Sequence, residues 1–188
     1  MSRIAILGAG AWGTALALSL ARRGGHKLYL WSHSAALAEQ LADAGENLPY
    51  LPGFTLPADI QVTSDLPRAI FEADILLCVT PSQHLRGIIT HIAPLLTRNQ
   101  IILSASKGIE DTSFLRMSQV VASVANNPFA VLSGPSFAQE VAAQMPTALG
   151  RSSLLKRTVS AEIAITITPA PASPSSTRAA RNSPTEVE

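Results

Sequence analysis

The fold is determined by the stretch Ile4-Ala5-Ile6-Leu7-Gly8-Ala9-Gly10-Ala11-Trp12-Gly13-Thr14-Ala15-Leu16. In it a short apolar run ends in glycines spaced G-x-G-x-x-G, and an alanine- and leucine-rich run follows at once. Gly8 allows a tight turn, Gly10 leaves the backbone open to a pyrophosphate, and Gly13 lets the next helix pack closely on the strand. The unpaired N–H groups at the start of that helix then face the phosphates. This strand–turn–helix context predicts a dinucleotide-binding site rather than a merely glycine-rich turn.

The composition is typical of a folded domain. The 188 residues are 47% hydrophobic and 14% charged, which is enough for one well-packed domain with some excess. The net charge of +1 argues against nucleic acid or an acidic membrane as the main partner. No apolar run approaches the roughly 18 residues of a membrane helix, and the N-terminus is itself the first predicted strand. We therefore expect a soluble cytoplasmic protein with no membrane span or signal peptide, and a buried, unreactive thiol at Cys78.

Strand and helix patterns alternate over residues 1–149, which predicts an α/β domain with a Rossmann-like, doubly wound, mostly parallel sheet. Strands are predicted at 3–7, 27–31, 60–63, 75–79, 101–104 and 129–132. Helices are predicted at 12–23, 34–44, 66–72 and 82–92, with Ser34, Asp65 and Ser82 as N-caps. A fifth helix is predicted from Thr112 or Ser113 to a point before Asn126.

The segment 47–57 holds three prolines and a glycine, which exclude a helix or a central strand. Loops of this length are often functional. Alternatively, Tyr50, Leu51 and Phe54 anchor the segment to the core.

The end of the second predicted strand bears on the choice of dinucleotide. In NAD-binding domains an Asp or Glu about 20 residues after the glycines binds the ribose 2′-hydroxyl. This chain has Trp31-Ser32-His33 there, and its next acidic residue is Glu39, inside a helix. Ser32 and His33 can donate hydrogen bonds to a 2′-phosphate, which a carboxylate would repel. The site therefore admits NADP as well as NAD, although His33 as a solvated helix-entry residue stays an alternative.

Further candidate residues follow the later strands, at the edge where open α/β sheets bind ligands. Position alone gives His84 either a catalytic role or a structural one at a helix start. Lys107, followed by Gly108, suits either a countercharge for an anionic ligand or a plain surface lysine. The turn 133–138 opens another helix with small residues, which suits a phosphate or the amide of a nicotinamide.

Together, six stretches resemble the N-terminal domain of the bacterial NAD(P)-dependent glycerol-3-phosphate dehydrogenases, over about residues 4–149. They are Gly8-Ala-Gly-Ala-Trp-Gly-Thr-Ala15, Leu30-Trp-Ser-His33, Tyr50-Leu-Pro-Gly53, Val79-Thr-Pro-Ser82, Ala105-Ser-Lys-Gly-Ile-Glu110 and Ser133-Gly-Pro-Ser-Phe-Ala138. The last two are quite specific to this family among Rossmann proteins. The last also argues against a dehydrogenase that acts on a hydroxy acid.

The resemblance implies a homo-oligomeric enzyme that reversibly reduces dihydroxyacetone phosphate to sn-glycerol 3-phosphate for phospholipid synthesis. The cofactor would supply the hydride, and the protein would supply orientation and proton donation. The residues implied to contact NADP or NAD are Gly8, Gly10, Ala11, Trp12, Gly13, His33, Lys107 and Ala138. Those implied to contact the phosphorylated substrate are Lys107, Gly134 and Ser136. Ala11 replaces a serine common in the family, so one hydroxyl contact is lost while the backbone amide remains.

The family's general acid/base is a lysine in a helical C-terminal domain, and we expect that domain to be absent here. Segment 150–188 has no aromatic residue, and from Pro169 it is rich in Pro, Ser, Ala, Thr and Arg. Such a composition cannot bury enough apolar surface to offset its ordering entropy, so we expect a disordered tail with only a weak strand pattern at 162–168. Lys156 comes too early to replace the catalytic lysine. We interpret this segment as the product of truncation or a frame shift, with a natural linker to a lost domain as the alternative.

The sequence therefore leaves two functions open. One is a dehydrogenase of this family. The other is a non-catalytic dinucleotide-binding module, which is the same domain without its acid/base. Both place the cofactor at the same edge of the sheet, and NADPH binding without appreciable turnover is expected of the 188-residue chain.

Overall fold

The computed structural model describes residues 1–134, 136–145 and 150–153, which form an α/β fold around a seven-stranded sheet. The strands of the sheet are β1 (Ser2–Leu7), β2 (His26–Trp31), β5 (Ile60–Thr63), β6 (Ile75–Cys78), β7 (Ile101–Ser104), β8 (Phe129–Ser133) and β9 (Gly150–Ser153). Strands β3 (Glu46–Asn47) and β4 (Leu51–Thr55) form a separate antiparallel ribbon. The helices are α1 (Ala11–Arg23), α2 (Ala35–Ala44), α3 (Leu66–Ile70), α4 (Ser82–Ile92), α5 (Met117–Ala122) and α6 (Ala138–Ala142), and a short 3-10 helix spans Ala93–Leu95.

The strands β5-β2-β1-β6-β7-β8 are parallel and lie side by side in this order. This is the order of a doubly wound dinucleotide-binding sheet, so the predicted Rossmann-like fold is confirmed. The chain winds outward from β1 to β5, then returns to β6 and winds the other way to β8. The direction reverses between β1 and β6, where such sheets open a crevice at their carboxyl edge. At the far end β9 pairs antiparallel with β8.

Strand β1 is buried on both faces because helices cover both sides of the sheet. Ile4 and Ile6 belong to one core cluster with α1 residues such as Leu16. Ala5 and Leu7 belong to a second cluster that includes residues of α3 and α4. A shift of one residue would exchange the two sets, so the packing fixes the register of β1 and the position of the turn that follows it.

Two of the three predicted N-caps are confirmed. The side chains of Ser34 and Asp65 each accept a hydrogen bond from the N–H three residues further on, at 3.2 and 3.0 Å. The third is wrong, because α4 begins at Ser82 itself and its N-cap is Pro81, with no side-chain hydrogen bond. The ring of proline fixes φ and suits the chain to enter the helix at the next residue.

The helix predicted from Thr112 or Ser113 begins only at Met117, so this prediction is wrong. Phe114 has φ 55°, a left-handed conformation that interrupts any helix passing through it. The Ser113 hydroxyl, which could have capped a helix, donates instead to the Glu110 carboxylate. A tertiary contact therefore overrides the local capping signal.

The proline-rich segment 47–57 is neither a helix nor a central strand, and it forms most of the β3–β4 ribbon beside the main sheet. Leu51 is fully buried in the core and Phe54 packs against the core, whereas Tyr50 is 55% exposed. Anchoring to the core is therefore confirmed for Leu51 and Phe54.

The first four residues of the segment predicted as a disordered tail, Gly150–Ser153, form strand β9. Antiparallel pairing uses backbone groups, so it does not require an apolar composition. The remainder of that segment, with the strand pattern at 162–168, lies outside the described residues. Among the helices that the structure describes, none combines the length and the apolar character that crossing a membrane requires.

Gly13 and Gly10 provide a matched pair for testing the packing of α1 on β1. A Cβ on residue 13 would lie 1.8 Å from the Gly8 carbonyl oxygen, whereas a Cβ on residue 10 would meet no atom within 4 Å. We expect Gly13→Ala to lower the free energy of unfolding by about 3 kcal/mol, and Gly10→Ala by less than about 1 kcal/mol. Urea unfolding followed by circular dichroism measures both, and equal losses would contradict the packing.

Candidate functional site

Five loops meet at the carboxyl edge of the sheet, following β2, β1, β6, β7 and β8 in this spatial order. Backbone hydrogen bonds tie neighbouring loops together, since the Gly8 N–H donates to the Trp31 carbonyl at 3.0 Å and the Ala105 N–H donates to the Cys78 carbonyl at 2.8 Å. The residues predicted to bind ligands all lie at this edge: Gly8, Gly10, Ala11, Trp12, Gly13, His33, Lys107, Gly134, Ser136 and Ala138.

The glycine-rich turn after β1 has no space for side chains at its two ends. Gly8 has φ +132°, and a Cβ there would lie 2.7 Å from the Val79 carbonyl oxygen of the neighbouring loop. Gly13 packs directly on the Gly8 carbonyl. Between them Gly10 borders open space. The turn thus has the shape that the G-x-G-x-x-G pattern predicts, closed toward the sheet and open toward the crevice.

The start of α1 presents unpaired backbone donors. The N–H groups of Gly10, Ala11, Trp12 and Gly13 donate to no acceptor within the described part of the chain, and the N-cap makes no side-chain hydrogen bond. The first intrahelical bond is made by the Thr14 N–H, at 3.0 Å from the Gly10 carbonyl. Free N–H groups at the positive end of a helix dipole favour an anion.

In the loop after β2, Ser32 is buried and His33 is exposed. Ser32 is only 3% exposed, and its hydroxyl oxygen accepts a hydrogen bond from the Ser34 N–H at 3.2 Å. His33 is exposed, and its ring meets the Trp31 ring edge-on at 6.2 Å between centroids. His33 is therefore the side chain available to a ligand here, and Ser32 shapes the loop.

Lys107 connects three of the loops. Its Nζ donates a hydrogen bond to the Ser136 carbonyl at 3.0 Å and lies 5.2 Å from the centroid of the Trp12 ring. The Trp12 Nε1 is buried and has no hydrogen-bond partner among the described residues. Trp12 thus forms a partly buried wall between the glycine-rich turn and the lysine, and Lys107 remains exposed to the crevice.

The turn after β8 contains Gly134, Ser136 and Ala138, and its Ser136 carbonyl contacts Lys107. Ser136 is 7% exposed, while Ala138 begins α6, which packs against α1. Small residues at a strand–turn–helix junction let a ligand approach the backbone, and ligand binding at this turn stays a prediction.

The loop that carries Lys107 is held from the side of α4. Gln83 accepts a hydrogen bond from the Asp111 N–H at 2.9 Å and donates one to the Ile109 carbonyl at 3.0 Å. Gly108 has φ +117° and lies against Ser82, whose Oγ would be 3.0 Å from a Cβ on residue 108. These contacts restrict the backbone on the C-terminal side of Lys107.

An ion pair between Arg86 and Glu110 also connects α4 to the Lys107 loop. Arg86 of α4 donates from Nε and Nη2 to the two carboxylate oxygens of Glu110, both at 2.8 Å, and from Nη1 to the Ser123 hydroxyl at 2.9 Å. The hydrogen bonds from Arg86 and Ser113 lower the pKa of Glu110 from 4.5 to about 2. The sequence reasoning assigned no role to Gln83, Arg86 or Glu110, because such a pair between separate elements leaves no local pattern.

Two other candidate residues fall outside this arrangement. His84 is exposed in the first turn of α4, and its backbone N–H donates to the Pro81 carbonyl at 2.9 Å. Its imidazole makes no hydrogen bond among the described residues, so the choice between a structural and a catalytic role stays open. Burial raises the pKa of the Cys78 thiol to about 12. The prediction of a buried thiol is therefore confirmed, and a raised pKa is what an unreactive thiol requires.

A cavity of about 340 Å³ lies at the opposite, amino edge of the sheet, between residues 70–74 before β6 and residues 95–100 before β7. It contains none of the predicted ligand residues. The candidate site is therefore identified by its position at the carboxyl ends of the strands, and not by the presence of a cavity.

The residues present fit a dinucleotide. Free N–H donors lie at the start of α1, open space borders Gly10, and the buried Trp12 Nε1 lacks a partner among the residues that the structure describes. Together with the strand order, these features define the nucleotide-binding domain class of the Rossmann α/β proteins.

Comparisons with known proteins specify the family. Residues 3–158 match the family model described as the NAD-dependent glycerol-3-phosphate dehydrogenase N-terminus. The chain is 52% identical over 157 residues to glycerol-3-phosphate dehydrogenase [NAD(P)+] of Acidobacterium capsulatum, covering 79% of this chain and 46% of the relative. It is 43% identical to the enzyme of the same name from Koribacter versatilis, covering 86% of this chain and 50% of that one. The crystal structure of glycerol-3-phosphate dehydrogenase from Coxiella burnetii has a TM-score of 0.77 and 39% identity, covering 82% of this chain and 47% of that one.

The chain belongs to the NAD-dependent glycerol-3-phosphate dehydrogenase family and corresponds to its N-terminal, NAD-binding domain. It spans about half the length of the curated relatives that it matches. The motifs predict that the resemblance ends at about residue 149, but the family model extends to residue 158. This extension includes β9, which pairs with the sheet.

The Arg86–Glu110 pair predicts a pH-dependent stability. Because the pKa of Glu110 is lowered to about 2 in the folded chain, the pair stabilises fully above the ordinary value of 4.5, and its contribution falls as the pH drops toward 2. Wild type should therefore be more stable than Glu110→Gln near neutral pH, and the difference should shrink below about pH 5. Urea unfolding of both proteins over this pH range measures it, and a difference independent of pH would refute the assignment.

Proposed function

We propose that the chain is the cofactor-binding half of an NAD(P)-dependent glycerol-3-phosphate dehydrogenase. The observation that carries the proposal is the position of Lys107, 5.2 Å from the Trp12 ring centroid and 3.0 Å from the Ser136 carbonyl. One cation thereby connects the glycine-rich turn with the loops after β7 and β8. A cation at this junction supplies the countercharge that a phosphorylated substrate beside a dinucleotide needs.

The cofactor would span the crevice between β1 and β6. The N–H groups of residues 10–13 would bind the pyrophosphate, and His33 would bind the ribose at the β2 side. Trp12, Lys107 and Ala138 would border the nicotinamide half. This arrangement is supported by the free N–H donors and by the open space at Gly10.

The proposed substrate is dihydroxyacetone phosphate or, in the reverse direction, sn-glycerol 3-phosphate. Lys107, Gly134 and Ser136 would hold it, since an ammonium group and backbone N–H groups at a turn both bind phosphate oxygens. The hydrogen bond from Lys107 to the Ser136 carbonyl limits the positions that the ammonium group can take. Orientation of the substrate is therefore the role proposed for these residues.

When bound, NAD(P)H supplies the hydride for the substrate carbonyl. The carbonyl oxygen also needs a proton, which the resemblance assigns to a lysine of the C-terminal domain. This chain covers 46% of the relative from Acidobacterium capsulatum. We propose that residues of this chain bind and orient cofactor and substrate, that the 188-residue chain does not by itself complete the reaction, and that the protein is a cytoplasmic homo-oligomer.

Titration of the purified 188-residue chain with NADPH, followed by tryptophan fluorescence and calorimetry, tests the proposal. We expect saturable binding and no appreciable oxidation of NADPH when dihydroxyacetone phosphate is added. Gly10→Ala should weaken NADPH binding by about tenfold, because its Cβ enters the space that the pyrophosphate approaches. Gly87→Ala, which also adds a Cβ in open space but on α4, is the matched control and should bind like wild type.

Two results would contradict parts of the proposal separately. Absence of NADPH binding by the folded wild-type chain would refute the binding role. Turnover at ordinary enzyme rates would show that the chain supplies the proton itself.

The choice between the two cofactors is tested at His33. His33→Asp places a carboxylate at the end of β2, which repels a 2′-phosphate but can accept a hydrogen bond from a 2′-hydroxyl. We expect the ratio of NADPH to NADH affinity to fall by about tenfold, with a much smaller change in the neutral control His33→Asn. An unchanged ratio would mean that His33 does not face the ribose.

A further inference from the structure

Asn47, the last residue of β3, is fully buried although its side chain is polar. The ribbon fixes its position, since its carbonyl accepts a hydrogen bond from the Tyr50 N–H at 3.3 Å and its register partner Leu51 is buried in the core. The neighbouring Glu46 carboxylate accepts a hydrogen bond from the Gly53 N–H at 2.6 Å. A closed and anchored ribbon therefore presents one amide group to the start of α1.

The amide makes two hydrogen bonds, and both come from Nδ2. One goes to the Ala9 carbonyl at 3.0 Å and the other to the Thr14 hydroxyl at 2.7 Å. A carbonyl can only accept hydrogen bonds, so the contact with Ala9 determines which way the amide faces. Its Oδ1 has no partner among the described residues. Burial of a half-satisfied amide costs stability, so stability alone does not explain Asn47.

The bond to Ala9 controls the direction of the next N–H. The carbonyl of Ala9 and the N–H of Gly10 belong to one planar trans peptide and point in opposite directions. Asn47 lies in the buried interior and holds the carbonyl toward itself, so the Gly10 N–H is directed away from the interior. Gly10 itself borders open space, since a Cβ on residue 10 would meet no atom within 4 Å. With the peptide reversed, a carbonyl oxygen would face the bound anion and repel it.

The geometry points to Asn47 as a positioning residue for the dinucleotide pyrophosphate: through the Ala9 carbonyl it keeps the Gly10 N–H directed into the crevice. This inference rests on the proposed function, because Asn47 would order the turn to which the cofactor is proposed to bind. Asn47 does not touch the ligand and acts through the backbone of the turn.

Two substitutions separate this role from general support of the fold. Asn47→Leu keeps a similar volume and removes both donors, and Asn47→Ala removes the donors without adding bulk. Thr14→Val is the matched control, because it removes the other bond of the same amide and leaves the contact with Ala9 intact. Circular dichroism and thermal unfolding establish that each variant is folded.

The first readout compares two ligands. NADPH carries the pyrophosphate, whereas adenosine 2′-phosphate has the adenine end and its phosphate without one. We expect both Asn47 variants to bind NADPH about tenfold more weakly than wild type, and adenosine 2′-phosphate within about twofold of it. Thr14→Val should bind both ligands within about twofold of wild type. Equal weakening of both ligands, or equal weakening by Thr14→Val, would overturn the inference.

The second readout needs no ligand. NMR order parameters of the Gly10 and Ala11 N–H groups should be near the rigid value of about 0.85 in wild type and Thr14→Val, and below about 0.6 in the Asn47 variants. If wild type failed to bind NADPH, only the proposed function would be refuted. The order parameters would then decide whether Asn47 holds the Gly10 N–H in place. Unchanged order parameters, or loss of the fold in both Asn47 variants, would overturn it.

Discussion

The close approach of α1 to the end of β1 is the constraint on which the rest of the structure depends. A Cβ on residue 13 would lie 1.8 Å from the Gly8 carbonyl oxygen, so only glycine allows the helix to begin where it does. Because β1 is central in the sheet, this start lies at the point where the winding direction reverses. The unpaired N–H groups of the helix thereby lie at the crevice, and the residues that we propose to bind ligands are arranged around them.

The loops around this turn are held by side chains to which we assign no contact with a ligand. Asn47 contacts the glycine-rich turn from the ribbon, and Gln83 and the Arg86–Glu110 pair contact the Lys107 loop from α4. These contacts restrict backbone motion at the two loops that would bind phosphate groups. The described residues are thus arranged for the binding role that we propose.

Features set by local backbone requirements could be predicted from the sequence. The glycine spacing, the strand–helix alternation and the caps at Ser34 and Asp65 each depend on neighbouring residues. The start of α5 could not be predicted, because Ser113 hydrogen-bonds to Glu110 and Phe114 adopts a left-handed conformation. The role of Asn47 was also missed. Its contact with Ala9 joins residues 38 positions apart and leaves no periodic pattern.

We propose that NAD(P)H binds at the carboxyl edge of the sheet, on the turn after β1. Amide chemical shifts of the isotopically labelled 188-residue chain during titration with NADPH test it most directly. We expect saturable changes that are largest at Gly10–Gly13 and at Lys107 and Gly108. The absence of changes at these residues, or the largest changes at residues 70–74 and 95–100 of the opposite edge, would contradict it.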